Sequence, residues 1–168
     1  MRFEPIIELP SLVTGLWRRF GVHLFEGKVT VADMEELERR GEVWRDKVRG
    51  KLVEMVVIFP SDAKMTTEER TKMTQIIKRW EKDRAASATV ILAQGLTGAL
   101  HRSVLTGMQM LVPAPHPVKV FGSIPDGVKW LAPHVRGLCG PEASTEALDA
   151  AVADLAAHFA ARQQKRSA

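Results

Sequence analysis

The chain has 168 residues, 45% of them apolar and 26% charged, with a net charge of +4 and a single cysteine. That length accommodates one domain with a full core plus an appendage, and one cysteine excludes an internal disulfide or a cysteine-based metal cluster. No run reaches the roughly 18 apolar residues of a membrane span, and the start, MRFEPIIELP, carries Glu4 and Glu8 without a long apolar segment. It does not read as a secretory signal, so the cytoplasm is the expected compartment.

Alternating apolar residues open the pattern. Leu12, Thr14 and Leu16, then Phe20, Val22 and Leu24, predict two strands joined at Arg18-Arg19 as an edge hairpin, with a weak strand before them over Pro5 to Leu9. Thr30 followed by Asp33 marks a helix start of the capping-box type. Met34, Leu37, Trp44 and Val48 continue its apolar stripe, and Gly41, which costs about 1 kcal/mol relative to Ala in a helix, predicts a bend or break.

LVEMVVIFP (52–60) and SATVILA (87–93) are short, nearly continuous apolar runs. They predict strands buried on both faces, as in a parallel sheet covered by helices. Between them Thr66 and Glu69 form a second capping box, and Met73, Ile76, Ile77 and Trp80 line the helix that follows. Residues 95–111 predict another helix, with Leu100, Val104, Met108 and Leu111 on one face. Pro113, Pro115 and Pro117 then hold the chain extended into a short strand over Val118 to Phe121. Ser123 with Asp126 starts a short helix bearing Val128, Trp130 and Leu131.

Residues 133–143 are expected to be a linker containing Cys139 as an inert thiol. From Ser144 or Thr145 an Ala-rich amphipathic helix runs to about Gln163, with a basic tail to residue 168. The alternation of strands and helices implies an α/β fold. Its sheet should have about four to five strands, mainly parallel, with an antiparallel N-terminal hairpin and a cover of helices. Residues 1–132 make that domain, and the C-terminal helix over 144–168 is appended to it.

The order of elements, and especially LTGALHRSVLTGMQMLVPAPHPVKVFGSIPDGVKWL (96–131), resembles bacterial proteins of the STAS-like superfamily, in its SpoIIAA-like, anti-sigma-factor-antagonist-like branch. The likeness spans about residues 12–132 and is carried by the helix, the Pro-rich link, the PVKVF strand and the final Trp-Leu. It implies a non-enzymatic signalling module. In such proteins a kinase phosphorylates a serine or threonine that follows the central strand, and this switches partner binding. The comparable stretch is FPSDAKMTTEER (59–70), which offers Thr66, Thr67 and, in the loop, Ser61. The family's aspartate before the hydroxyl and glycine after it are both absent, and N-capping alone accounts for Thr66.

Chemistry is otherwise sparse. None of His23, His101, His116, His134 and His158 has a second histidine three or four residues away, so no helix presents a metal pair. GLTG (95–98) opens a helix after a buried strand, where glycine also serves simply as a turn. Glu68-Glu69 favours a helix N-terminus without acid–base work. No enzyme, cofactor or metal is therefore expected.

Basic residues alternate with acids, as in EELERRGEVWRDKVRGK, the pattern of solvated helix faces, which argues against nucleic-acid binding. Leu148, Val152, Leu155 and Phe159 of the last helix require a cover. That cover is the chain's own domain, a second copy in a homodimer, or a partner protein. The expected role is a regulatory or scaffold module acting through protein contact. The alternative is a small-molecule or lipid carrier using a pocket between sheet and helices.

Overall fold

The computed structural model describes residues 2–61, 64–92 and 114–167. Among them, six strands form one sheet in chain order: β1 (Glu4–Glu8), β2 (Leu12–Trp17), β3 (Phe20–Phe25), β4 (Leu52–Ile58), β5 (Arg84–Ile91) and β6 (Val118–Phe121). The first two pairings are antiparallel and the last three parallel. The weak first strand is real and takes the edge, so the β2–β3 hairpin lies one strand in, and the sheet exceeds the expected four to five. The helix expected over 95–111, with GLTG and His101, lies outside the described residues.

Among the described residues, four helices cover the sheet: α1 (Val31–Val48), α2 (Thr67–Trp80), α3 (Ile124–Cys139) and α4 (Thr145–Ser167), with a 3-10 turn over Glu81–Asp83. The period-2 alternation of the strands sorts their side chains between two layers. Leu12 and Ile7 pack with Met34, Leu37, Ile76 and Trp80 of α1 and α2. On the other side Phe20, Val22, Leu24, Val53, Met55 and Val57 share one cluster with α3 and α4.

The caps read from the sequence all form. Thr30 accepts from the Asp33 amide, Thr66 from that of Glu69 and Ser123 from that of Asp126. Ser144 Oγ accepts from the Ala147 amide at 3.1 Å at the start of α4.

Two differences from the sequence reading have clear causes. The stretch 133–143, expected as a linker, is helical to Cys139. Val128, Leu131, Ala132, Val135 and Cys139 are all buried at helical spacing, so the stripe passes straight through Pro133. Pro133 sits on the exposed side of the helix, away from that buried stripe. Cys139 is accordingly a core residue, its thiol pKa pushed up by burial.

Nor does Gly41 break α1, which runs unbroken from Val31 to Val48. A Cβ there would lie 2.6 Å from the Trp80 ring, so glycine is what lets the two helices close around that indole.

The β2–β3 turn also departs from ordinary chemistry: Arg18 has a φ of 52° without being glycine, a conformation costing about 1–2 kcal/mol. Its side chain is held in compensation. It donates to the Cys139 carbonyl, pairs with Glu142 and lies over the Trp17 ring.

Gly41→Ala weighs two opposed effects. Helix propensity favours alanine by about 1 kcal/mol, whereas overpacking against a fixed ring costs about 1–3 kcal/mol. The expected net result is a lower urea midpoint. A higher midpoint would mean that Trp80 shifts freely and that the close approach is not what demands glycine.

Candidate functional site

The hydroxyls singled out by the sequence sit where β4 hands over to α2. Thr66 is the N-cap, with its hydroxyl 3.2 Å from the Glu69 amide, while its own amide donates to the Glu69 carboxylate at 2.6 Å. That amide holds the Glu69 carboxyl below its usual pKa, and Lys28 stands 3.7 Å away. Thr67 is the first residue of the helix and is exposed; Arg70 Nη2 lies 3.3 Å from its hydroxyl. Ser61 is exposed in the connecting segment. Thr66 and Thr67 are thus adjacent at a helix N-terminus, with Thr66 committed to capping and Thr67 projecting to solvent. Two large apolar residues of this stretch of chain, Ile58 at the end of β4 and Met65 just before the cap, are each 37% exposed.

The stripe of α4 has a different fate. Leu148, Val152, Leu155 and Phe159 are all buried in the chain's own core. Phe159 packs against Phe59 with ring centres 5.8 Å apart, and Leu155 lies over Gly15 of β2. His158 and Arg162 bind Glu8 at 2.7 and 2.6 Å, holding its carboxyl below the usual value, and Gln163 donates to the Pro10 carbonyl. The stripe is occupied by the sheet and offers no free face to a partner in this arrangement.

A group of polar residues that the sequence reading passed over lies between the sheet and α1/α2. Glu54, in the middle of β4, is 1% exposed. Its two oxygens accept from Arg45 of α1 and from Nε of Arg84 at the start of β5. His23 Nε2 stands 3.9 Å away, its Nδ1 is 3.0 Å from the Thr14 hydroxyl, and Asp83 lies 3.7 Å from Arg45. Farther along the sheet, Ser87 meets His116 at 3.1 Å. Burial pushes the Glu54 pKa up, but the Arg84 charge, His23 and Arg45 together outweigh it and hold the carboxyl far below 4.5.

A single signal in the sequence announced this cluster: one glutamate inside LVEMVVI, a run otherwise apolar. A buried carboxylate demands compensating charge, and the compensating arginines are contributed by α1 and β5. The carboxylate is enclosed by its arginines, while Nε and Nη1 of Arg45 are buried without a hydrogen-bond partner and Asp83 at the margin is 35% exposed. Among the described residues no group of three or more potential ligands is disposed to hold a metal ion, and no helix is long and apolar enough to cross a membrane.

No family model matches the chain, and no curated protein matches it. It is similar to a solved structure from Shewanella loihica PV-4, an uncharacterized protein of the DUF3478 family with a SpoIIAA-like fold. The two share 16% identity, the match covers 72% of this chain and 94% of that one, and the TM-score is 0.58. The likeness is one of fold. This chain has a SpoIIAA-like α/β fold, as its sequence resemblance implies.

Glu54→Gln keeps the shape and removes the charge, leaving Arg45 and Arg84 uncompensated. The expected loss is about 3–5 kcal/mol at neutral pH, measured by urea unfolding. Because the folded-state pKa is depressed below 4.5, the contribution is complete above that value and fades as the pH falls toward the folded one. The gap between wild type and variant should therefore narrow on acidification. An unchanging gap down to about pH 3 would show that ionisation of Glu54 is not its source.

Proposed function

We propose that the chain is a non-enzymatic regulatory or scaffold module that works by protein–protein contact, through the segment leading from β4 into α2. The observation that carries this reading is the exposure of Met65 just before the cap together with that of Thr67 at the helix N-terminus, with Ile58 also exposed at the end of β4. Apolar groups left at the surface beside polar ones suit a contact patch. A phosphate on Thr67 would meet the free amides of the first turn and the Arg70 guanidinium, both favourable to negative charge. On Thr66 it would instead displace a cap. Thr67 is thus the better-placed switch, and Ser61 the loop alternative. The SpoIIAA-like fold supports the same reading, as does the position of the hydroxyls after a central strand at the start of a helix.

The test is the mass of the intact protein purified from its native host, sprayed under native and then denaturing conditions, for wild type, Met65→Glu and Thr67→Ala. The expected wild-type species is a homodimer or a complex with a second protein. Met65→Glu should reduce it about 30-fold, the equivalent of losing a central apolar anchor worth about 2 kcal/mol. Any covalent phosphate should disappear in Thr67→Ala. A monomer carrying a mass that leaves on denaturation would overturn this reading in favour of a small-molecule or lipid carrier.

A further inference from the structure

A groove of about 520 Å³ runs between α1 and the β1–β2 edge of the sheet, well removed in sequence from the β4–α2 segment. Four of its lining residues are cations: Arg39, Arg40 and Lys47 from α1, and Arg18 from the β2–β3 turn. Glu4 is the one carboxylate among them. The rest of the lining is apolar. Ile6, Leu16 and Trp44 supply it from below, and Val43 is 51% exposed. We propose that this groove docks an acidic amphipathic helix of a partner protein. The proposal stands whether or not the β4–α2 segment is also a contact.

Charge complementarity argues for the occupant. Arg39, Val43 and Lys47 follow one another at steps of four along α1, a line about 12 Å long at 1.5 Å per residue. A partner helix laid beside α1 would present carboxylates at the same spacing to Arg39 and Lys47, and one apolar side chain between them to Val43.

Three of the cations are already set in place. Arg39 holds Glu36 through two contacts of 2.8 Å, Arg40 shares the same carboxylate and donates to the Ile6 carbonyl, and Arg18 is tied to Glu142 and the Cys139 carbonyl. Glu36, its pKa lowered to about 2 by Arg39 and Arg40, stays charged and keeps both guanidinium groups oriented. Lys47 has no ion pair among the described residues, so its charge is wholly available. Fixed donors lose little freedom on binding, which favours affinity.

Other occupants fit less well. Stacked bases need an exposed ring, and Trp44 is only 8% exposed. An interfacial membrane helix needs a broad protruding apolar face, whereas here the apolar residues form the floor and Val43 stands out alone. Strand addition to β1 is opposed by Pro5 and by Arg40, which already occupies the Ile6 carbonyl.

The probe is a fluorescently labelled, alanine-based helical peptide with glutamates at i and i+8 and a leucine at i+4, titrated against the full chain by anisotropy. Its counterpart carries lysines in place of the glutamates. The acidic helix should bind at least tenfold more tightly than the basic one and weaken as salt rises. The exposed charge reversal Lys47→Glu should cost roughly tenfold, and Arg39→Glu/Lys47→Glu should reverse the preference toward the basic peptide. Reversal requires a folded groove, so it separates loss of binding from loss of structure.

Equal binding of both peptides, or retention of the acidic preference in the double variant, would overturn the proposal. It would also fall if phosphatidylglycerol vesicles or octanoate bound in a Lys47-dependent way while the acidic helix did not.

Discussion

A carboxylate placed in the middle of a buried strand cannot be left alone, and Glu54 organises one whole side of this molecule around that fact. Its charge requires two guanidinium groups, and each of them ties down an element. Arg45 draws the end of α1 onto the sheet and stacks over the Trp80 ring at 4.3 Å. Arg84 begins β5 and also donates to the Ile77 carbonyl near the end of α2 at 3.0 Å. Trp80, lying between helices, leaves room only for glycine at position 41. The carboxylate, the two arginines, the indole and the glycine therefore form one interlocked set. Hydrophobic burial alone would hold α1 and α2 against the sheet; the charges fix where along it they sit.

The opposite side of the sheet is closed by different means. There the contact is almost purely apolar, with Val53, Met55 and Val57 of β4 facing α3 and α4. The polar ties among the described residues gather at the rim, where Glu8 meets His158 and Arg162, Gln163 the Pro10 carbonyl, and Arg18 both Glu142 and the Cys139 carbonyl. This layer consumes the stripe of α4, and among the described residues the exposed large apolar side chains, Val43, Ile58, Met65 and Ile77, lie on α1, at the end of β4, before α2 and on α2.

Local signals were the most legible in the sequence. The caps at Thr30, Thr66 and Ser123 were readable because a hydroxyl and an acid three residues apart can satisfy backbone amides without help from distant residues. β4 and β5 were readable because continuous apolar runs bounded by loops suit strands buried on both faces. What escaped depended on partners far along the chain. The propensity of Gly41 predicts a weak helix, and only the position of Trp80, 39 residues on, explains why the helix continues. Pro133 is an ordinary stop signal that the burial of Val135 and Cys139 overrides. Glu54 was visible as an anomaly, but its arginines come from separate elements and no spacing rule connects them. At the candidate site, the place of Thr66 and Thr67 was legible from the capping box; the exposure of Ile58 and Met65 beside them, and the groove on α1, were not.

The closure of the α3/α4 side carries a consequence for the order in which the chain can become itself. Glu8 and His158 are separated by 150 residues, so the face of the earliest strands stays open until α4 has been made. A growing chain on the ribosome would carry β1 to β3 with Val13, Val22 and Leu24 without the cover of α4 until that helix has emerged. Contacts this distant pay their loop entropy late and slow the final step. The molecule thus depends on its last helix to end a period of vulnerability to aggregation, and the charged ties at the rim then fasten that helix once it has docked.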